Sequence, residues 1–185
     1  MNPITLTENE IIAVCDAALN GKVRGMESLP GRMSLSVLKK IAARAPAVYV
    51  AYLGGNKSGP AVRDTATHRA VFAIYIVTDR TDGRRGSGRK IGAYDIINTL
   101  VPALNDHSVP EVGTLESKAV ENLFSVELDR SGVSIYAATF QIPMTFDYQL
   151  DETALDNFIT YHAEHSMTPG DDEPAAIDSV QLTQI

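Results

Sequence analysis

Apolar residues first recur at helical spacing in Ile11, Val14, Cys15, Ala18 and Leu19, which places them on one face of a helix. Thr7 suits its N-cap, Glu10 the capping-box position, and Gly21 follows the last periodic residue. A Gly/Pro stretch (Gly25, Pro30, Gly31) leads to a second predicted helix, from Ser34 to about Arg44, with Leu35, Leu38, Ile41 and Ala42 as its stripe. Pro46 stops it. The run from Ala47 to Leu53 is rich in strand formers, and a polar, Gly-rich loop extends from Gly54 to about Thr67. Between His68 and Asp79 both alternating sets are apolar: Val71, Ala73, Tyr75 and Val77 on one side, Phe72, Ile74 and Ile76 on the other. Such a strand belongs at the centre of a sheet covered on both faces. Ile96, Ile97, Leu100, Val101 and Leu104 then mark a third helix from Ile91 to Asn105, which Pro102 should kink or end early.

The next segments read as strands. Val112 to Leu128 contains some without clear limits, Asp129 to Gly132 is a turn, and Val133 to about Tyr148 alternates in part, with Ser134, Tyr136, Ala138, Phe140 and Ile142 on one face. Pro143 cannot donate to a ladder, so that strand should bend, bulge or lie at an edge there. The order of elements predicts an α+β body, residues 1–150, with helices packed on a mixed, mainly antiparallel sheet. Beyond it the pattern weakens into an extended C-terminal arm, residues 151–185. Thr153 to His165 reads as a short helix, Thr168 to Pro174 as a linker, and the run from Ile177 to Thr183 as a lone strand. A lone strand is unstable by itself. Ile177, Val180 and Leu182 are therefore expected to pair with a partner, either the chain's own body or another subunit.

Charge sharpens that division. The chain of 185 residues has a net charge of −7, with 23 acidic and 16 basic residues. Eight of the acids and none of the bases lie from Asp151 on, which leaves residues 1–150 at +1. An acidic tail on a neutral body suits an interaction arm, and it disfavours specific nucleic-acid binding, which needs a basic surplus. The single cysteine, Cys15, can form neither an internal disulfide nor a zinc site, and its position on the apolar face makes it a small core residue. The longest apolar run, Ala70 to Val77, is too short to cross a membrane, and the N-terminal residues lack the pattern of a signal peptide. A cytosolic site of synthesis follows as the expectation.

Few residues invite a chemical role. The loop from Asp82 to Lys90 joins a strand to a helix and carries Gly83, Gly86 and Gly88, yet it matches neither phosphate-binding spacing. Gly83 and Gly88 have four residues between them as a P-loop requires, but Arg89, Lys90 and Ile91 follow in place of Lys-Ser/Thr. The cations Arg80, Arg84, Arg85, Arg89 and Lys90 read either as a solvated loop or as a contact patch for an acidic partner surface. His162 and His165 share a helical spacing beside Glu164, without the third and fourth ligands that a metal needs. No nucleophile elbow or zinc-protease pair is present in the sequence, and no pair of acids suited to hydrolysis can be picked out from it. The expectation is a non-catalytic protein with no cofactor and no metal.

Several segments, taken in order, resemble one family. They are Ala47 to Gly55, the strand ending Ile74-Tyr-Ile-Val77, Gly83 to Gly86 before Gly92-Ala-Tyr-Asp95, Ile96 to Leu104, and Gly132 to Phe140. Together, over Pro46 to Tyr148, they are similar to the gp37 family of Mu-like phages, which resembles the tail terminators of contractile-tailed phages. The resemblance implies a virion protein at the head-proximal end of the tail, assembled in the host cytoplasm. It implies a ring, of six subunits, that caps the tail tube and sheath and meets the head–tail connector. No catalytic residues come with it. Another neck or sheath-associated subunit, or a small enzyme with an unrecognised site, remains the alternative.

Overall fold

A computed structural model describes residues 2–31, 44–58, 65–79, 91–123, 132–147, 160–165 and 176–181. The chain divides into two compact units, Met1–Tyr148 and Gln149–Ile185.

The first unit begins with α1, Pro3–Leu19. It starts four residues before the Thr7 expected as its cap. Asn2 is the N-cap, its side chain accepting from the Ile4 N–H at 2.9 Å, and Pro3 occupies the first turn. Asn-Pro is the stronger start because it supplies an acceptor and a preset φ together. Thr7 is instead buried, its hydroxyl donating to the Pro3 carbonyl at 2.8 Å. Thr7, Ile11, Cys15 and Leu19 form the fully buried stripe at four-residue spacing.

The stretch expected to be irregular contains a strand, β1, Gly25–Leu29. It pairs in parallel with β2, Ala47–Lys57, from Gly25 opposite Ala47 to Leu29 opposite Ala51. Its composition gives no strand signal, so the pairing itself sets the conformation. The second predicted helix falls almost wholly on residues 32–43, outside the described residues. β2 runs four residues past its expected end. A register shift between Tyr52 and Gly54, where Gly54 takes φ +107°, lets it continue. Gly55 then passes so close to the neighbouring strand that an added Cβ would sit 3.0 Å from the Arg69 carbonyl oxygen.

β3, Thr65–Asp79, and β7, Val133–Asp147, form the longest ladder, antiparallel throughout. Between β3 and β7 in the chain lie α2, Ala93–Leu104, the short pair β4, Ser108–Val109, and β5, Gly113–Thr114, and then β6, Glu116–Asn122. Asp95 accepts from the Gly92 N–H at 3.2 Å at the start of α2, and Pro102 lies in its last turn. The sheet order is β1-β2-β3-β7-β6, with only β1 and β2 parallel, so the fold is α+β with a mixed, mainly antiparallel sheet. β3 is central, as its two apolar faces require. Pro143 lies in β7 two residues beyond Gln141, where the pairing with β6 begins. On that side β7 is locally an edge, which is how the ladder tolerates the missing N–H.

One face of the sheet packs under both helices. Val48, Val50, Phe72, Ile74, Ile76, Ala138, Phe140 and Ile142 meet Ile11, Cys15, Leu19, Ile96, Leu100 and Leu104 in one cluster. Phe72 and Phe140 stand directly opposite each other. Burying such a side chain is worth about 1.5–3 kcal/mol. The opposite face forms a second buried cluster around Tyr49, Tyr75, Val77 and Ile135, with many alanines and no residue from α1 or α2.

The second unit contains β8, Thr160–His165, and β9, Ala176–Gln181, joined in an antiparallel pair from Thr160 opposite Gln181 to His165 opposite Ala176. This corrects two expectations. Thr160 to His165 is strand rather than helix, in line with the β preference of Thr160 and Tyr161. The strand at Ile177 is not alone, because it pairs with β8 of the same chain.

Candidate interaction surfaces

Of the residues expected to make contacts, Arg80, Arg84, Arg85, Arg89 and Lys90 lie between β3 and α2, outside the described residues. Ile177 and Val180 lie on β9, opposite Glu164 and Tyr161 in the register, and Leu182 lies just beyond it, outside the described residues. His162 and His165 sit on β8, so the helical spacing that would bring them together does not occur. Cys15 has no exposed surface, and burial pushes its thiol up to about 12. Such a thiol is inert at neutral pH.

The remaining polar side chains hold elements together. His107 Nε2 lies 2.9 Å from Glu10 Oε1, joining α1 to the segment before β4. Glu8, also on α1, accepts from the Tyr52 N–H at 3.2 Å beside the register shift in β2. His68 meets the Phe146 ring edge-on, with centroids 5.6 Å apart. Among the described residues there is no group of three metal-ligating side chains, and no helix is long and apolar enough to cross a membrane.

Two surfaces stand out instead, one at each edge of the five-stranded sheet. At the β1 edge, exposed Lys22, Arg24 and Arg44 outnumber Glu27, which pairs with Arg44. Tyr49, opposite Glu27 in the register, has a buried hydroxyl without a hydrogen-bond partner among the described residues. Burial raises its pKa, and the Glu27 carboxylate adds to the rise while Arg44 opposes it. At the β6 edge, Glu116 accepts from Gln141 and lies 3.7 Å from Lys118, and these contacts hold its carboxyl below the usual range. Asp106 and Glu121 are exposed nearby, and Ser117 N–H donates to Asn105 Oδ1 at 3.0 Å. Among the described residues the exposed large apolar side chains are Tyr94 and Val120, and both neighbour Tyr136. Tyr94 packs edge-on against Tyr136, centroids 5.8 Å apart. Asn122 is opposite Tyr136 and Val120 opposite Ala138, so Val120 is a diagonal neighbour of Tyr136 on the same face.

The sequence reading missed both edges. Which strands are outermost depends on the pairing order, and no local signal in Gly25–Leu29 or Glu116–Asn122 announces it.

Residues 3–145 match the model of the family described as bacteriophage Mu, Gp37. The chain belongs to that family. It is thus a phage protein of the Mu type, and the likeness is wider than the Pro46–Tyr148 segments suggest. A Mu-like prophage FluMu protein gp37 from Haemophilus influenzae is 25% identical over 183 residues, covering 99% of this chain and 90% of the relative. The similarity to this gp37 relative therefore continues into the C-terminal unit, which the segment-by-segment resemblance left outside. Among solved structures, a chain from the virion of a native gene transfer agent particle aligns with 76% of this chain and 90% of its own length, at 14% identity and a TM-score of 0.42.

Proposed function

We propose that this gp37-family chain is a structural protein of the virion that terminates the tail, acting by assembly rather than catalysis. In this reading it forms a ring, of six copies, at the head-proximal end. The ring caps the tail tube and sheath and offers a face to the head–tail connector. Membership of the Mu Gp37 family carries the proposal. Two features are suited to it. A cyclic assembly needs two different surfaces on each copy, and the body has two sheet edges of different character. The acidic C-terminal unit supplies a hairpin whose strands can extend a sheet in a neighbour, with Ile177, Val180 and Leu182 at the contact. The cations Arg80, Arg84, Arg85, Arg89 and Lys90 provide a complementary surface for an acidic neighbour.

Immunogold labelling of intact particles carrying an epitope-tagged chain tests the location. Label confined to the head–tail junction is the expected result. Label along the sheath or at the baseplate would replace this reading with another tail component, and label absent from purified particles would remove the virion role.

A further inference from the structure

We infer that the β6 edge, with its Tyr94–Val120 apolar patch, is where a second copy of this chain docks through its β1 edge. The inference deepens the ring reading and rests on it. An outermost strand exposes a row of backbone donors and acceptors, which soluble proteins normally blunt or cover. β6 is an edge strand of seven residues with an apolar side chain, Val120, exposed in it. Tyr94 extends that apolar surface from α2 through Tyr136. An aromatic and a β-branched residue beside a strand that is outermost among the described residues make a suitable centre for a protein contact.

Charge identifies the occupant. Among the described residues the β6 edge keeps a small acidic surplus, with Asp106, Glu116 and Glu121 against Lys118 and the Arg69 that acts on Glu116. The β1 edge is basic, with Lys22, Arg24 and Arg44 against Glu27. Either edge meeting its own kind would oppose like charges, so a two-fold dimer through one edge is disfavoured, whereas β6 against β1 is attractive. Direction agrees. β1 runs parallel to β2, β2 antiparallel to β3, β3 to β7 and β7 to β6, so β1 and β6 run in opposite senses. A copy moved sideways along the sheet brings its β1 antiparallel to β6, the pairing used by most of this sheet. The contact is heterologous, so repeated copies close into a ring if the rotation between them allows.

Charge reversal at each edge of the full-length chain tests this, read by native mass spectrometry and light scattering. One variant carries Lys22→Glu and Arg24→Glu, the other Glu121→Lys and Asn122→Lys, all at exposed positions outside the buried clusters. Each alone should raise the concentration needed for assembly by about tenfold or more. Mixed one to one they should reassemble, with the two chains alternating. Val120→Lys should weaken assembly without rescue by the mixture. If the wild type assembles and the variants assemble equally well, or the mixture is not restored, the edge contact is wrong while the ring stands. A wild type that stays monomeric at every concentration overturns both.

Discussion

Glu10 on α1 and His107 before β4 are bonded at 2.9 Å across 97 positions of sequence. The contact ties the first helix to the turn that follows the second. Glu10 therefore serves tertiary structure instead of the capping box that its spacing from Thr7 suggests. Replacing His107 with Ala should cost about 0.5–1.5 kcal/mol, the net worth of such a hydrogen bond, measured by urea unfolding. His107→Ala and Glu10→Ala should be less than additive in a double-mutant cycle. Full additivity would show that the contact contributes nothing.

Cys15 predicts an alkaline dependence. Its ordinary value of 9.0 rises to about 12 in the fold, because burial disfavours the thiolate. The unfolded chain therefore loses the proton first, and stability present below about pH 9 declines as pH rises toward 12. The slope from this one group is at most about 1.4 kcal/mol per pH unit. Cys15→Ala should flatten the decline in the wild-type curve. A thiol reagent should modify native Cys15 only at the rate of opening or unfolding.

Gly55 should resist substitution. An added Cβ would lie 3.0 Å from the Arg69 carbonyl oxygen and 3.1 Å from the Ala70 Cα, both backbone atoms that cannot rotate away. Gly55→Ala should destabilise the body by about 1–3 kcal/mol, in the range of overpacking. By contrast Gly21→Ala meets no atom within 4 Å, so its cost should come from the strained φ of +72° alone. Thermal melts of the two variants would separate steric from conformational cost.

The parts legible in the sequence were those whose pattern matched their burial. His68–Asp79 showed two apolar faces and is the central strand, and Ile96, Leu100 and Leu104 showed the helix stripe that packs beneath α2. β1 was illegible because Gly25-Met-Glu-Ser-Leu29 has no β-branched residue, and its strand exists through parallel pairing with β2. β8 was misread because Leu155, Phe158, Ile159 and His162 mimic a helix face, while Thr160 and Tyr161 favour the extended form found. The candidate edges were hidden for a related reason. Glu121 and Arg24 look like ordinary surface charges until the strand order places them at opposite ends of one sheet.

Truncation before Asp151 should leave the body folded, since both buried clusters lie within Met1–Tyr148. Assembly should weaken if the hairpin of β8 and β9 contributes to a neighbour, read as a loss of the high-mass species at fixed concentration. Normal assembly of the truncated chain would remove the hairpin from the contact.

Assembly of this Mu Gp37 family member into a ring is the proposal on which the rest depends. Negative-stain microscopy of the purified full-length protein tests it most directly. Closed rings with the diameter of the tail tube are the expected result. A field of monomers, or of open filaments that never close, would contradict it.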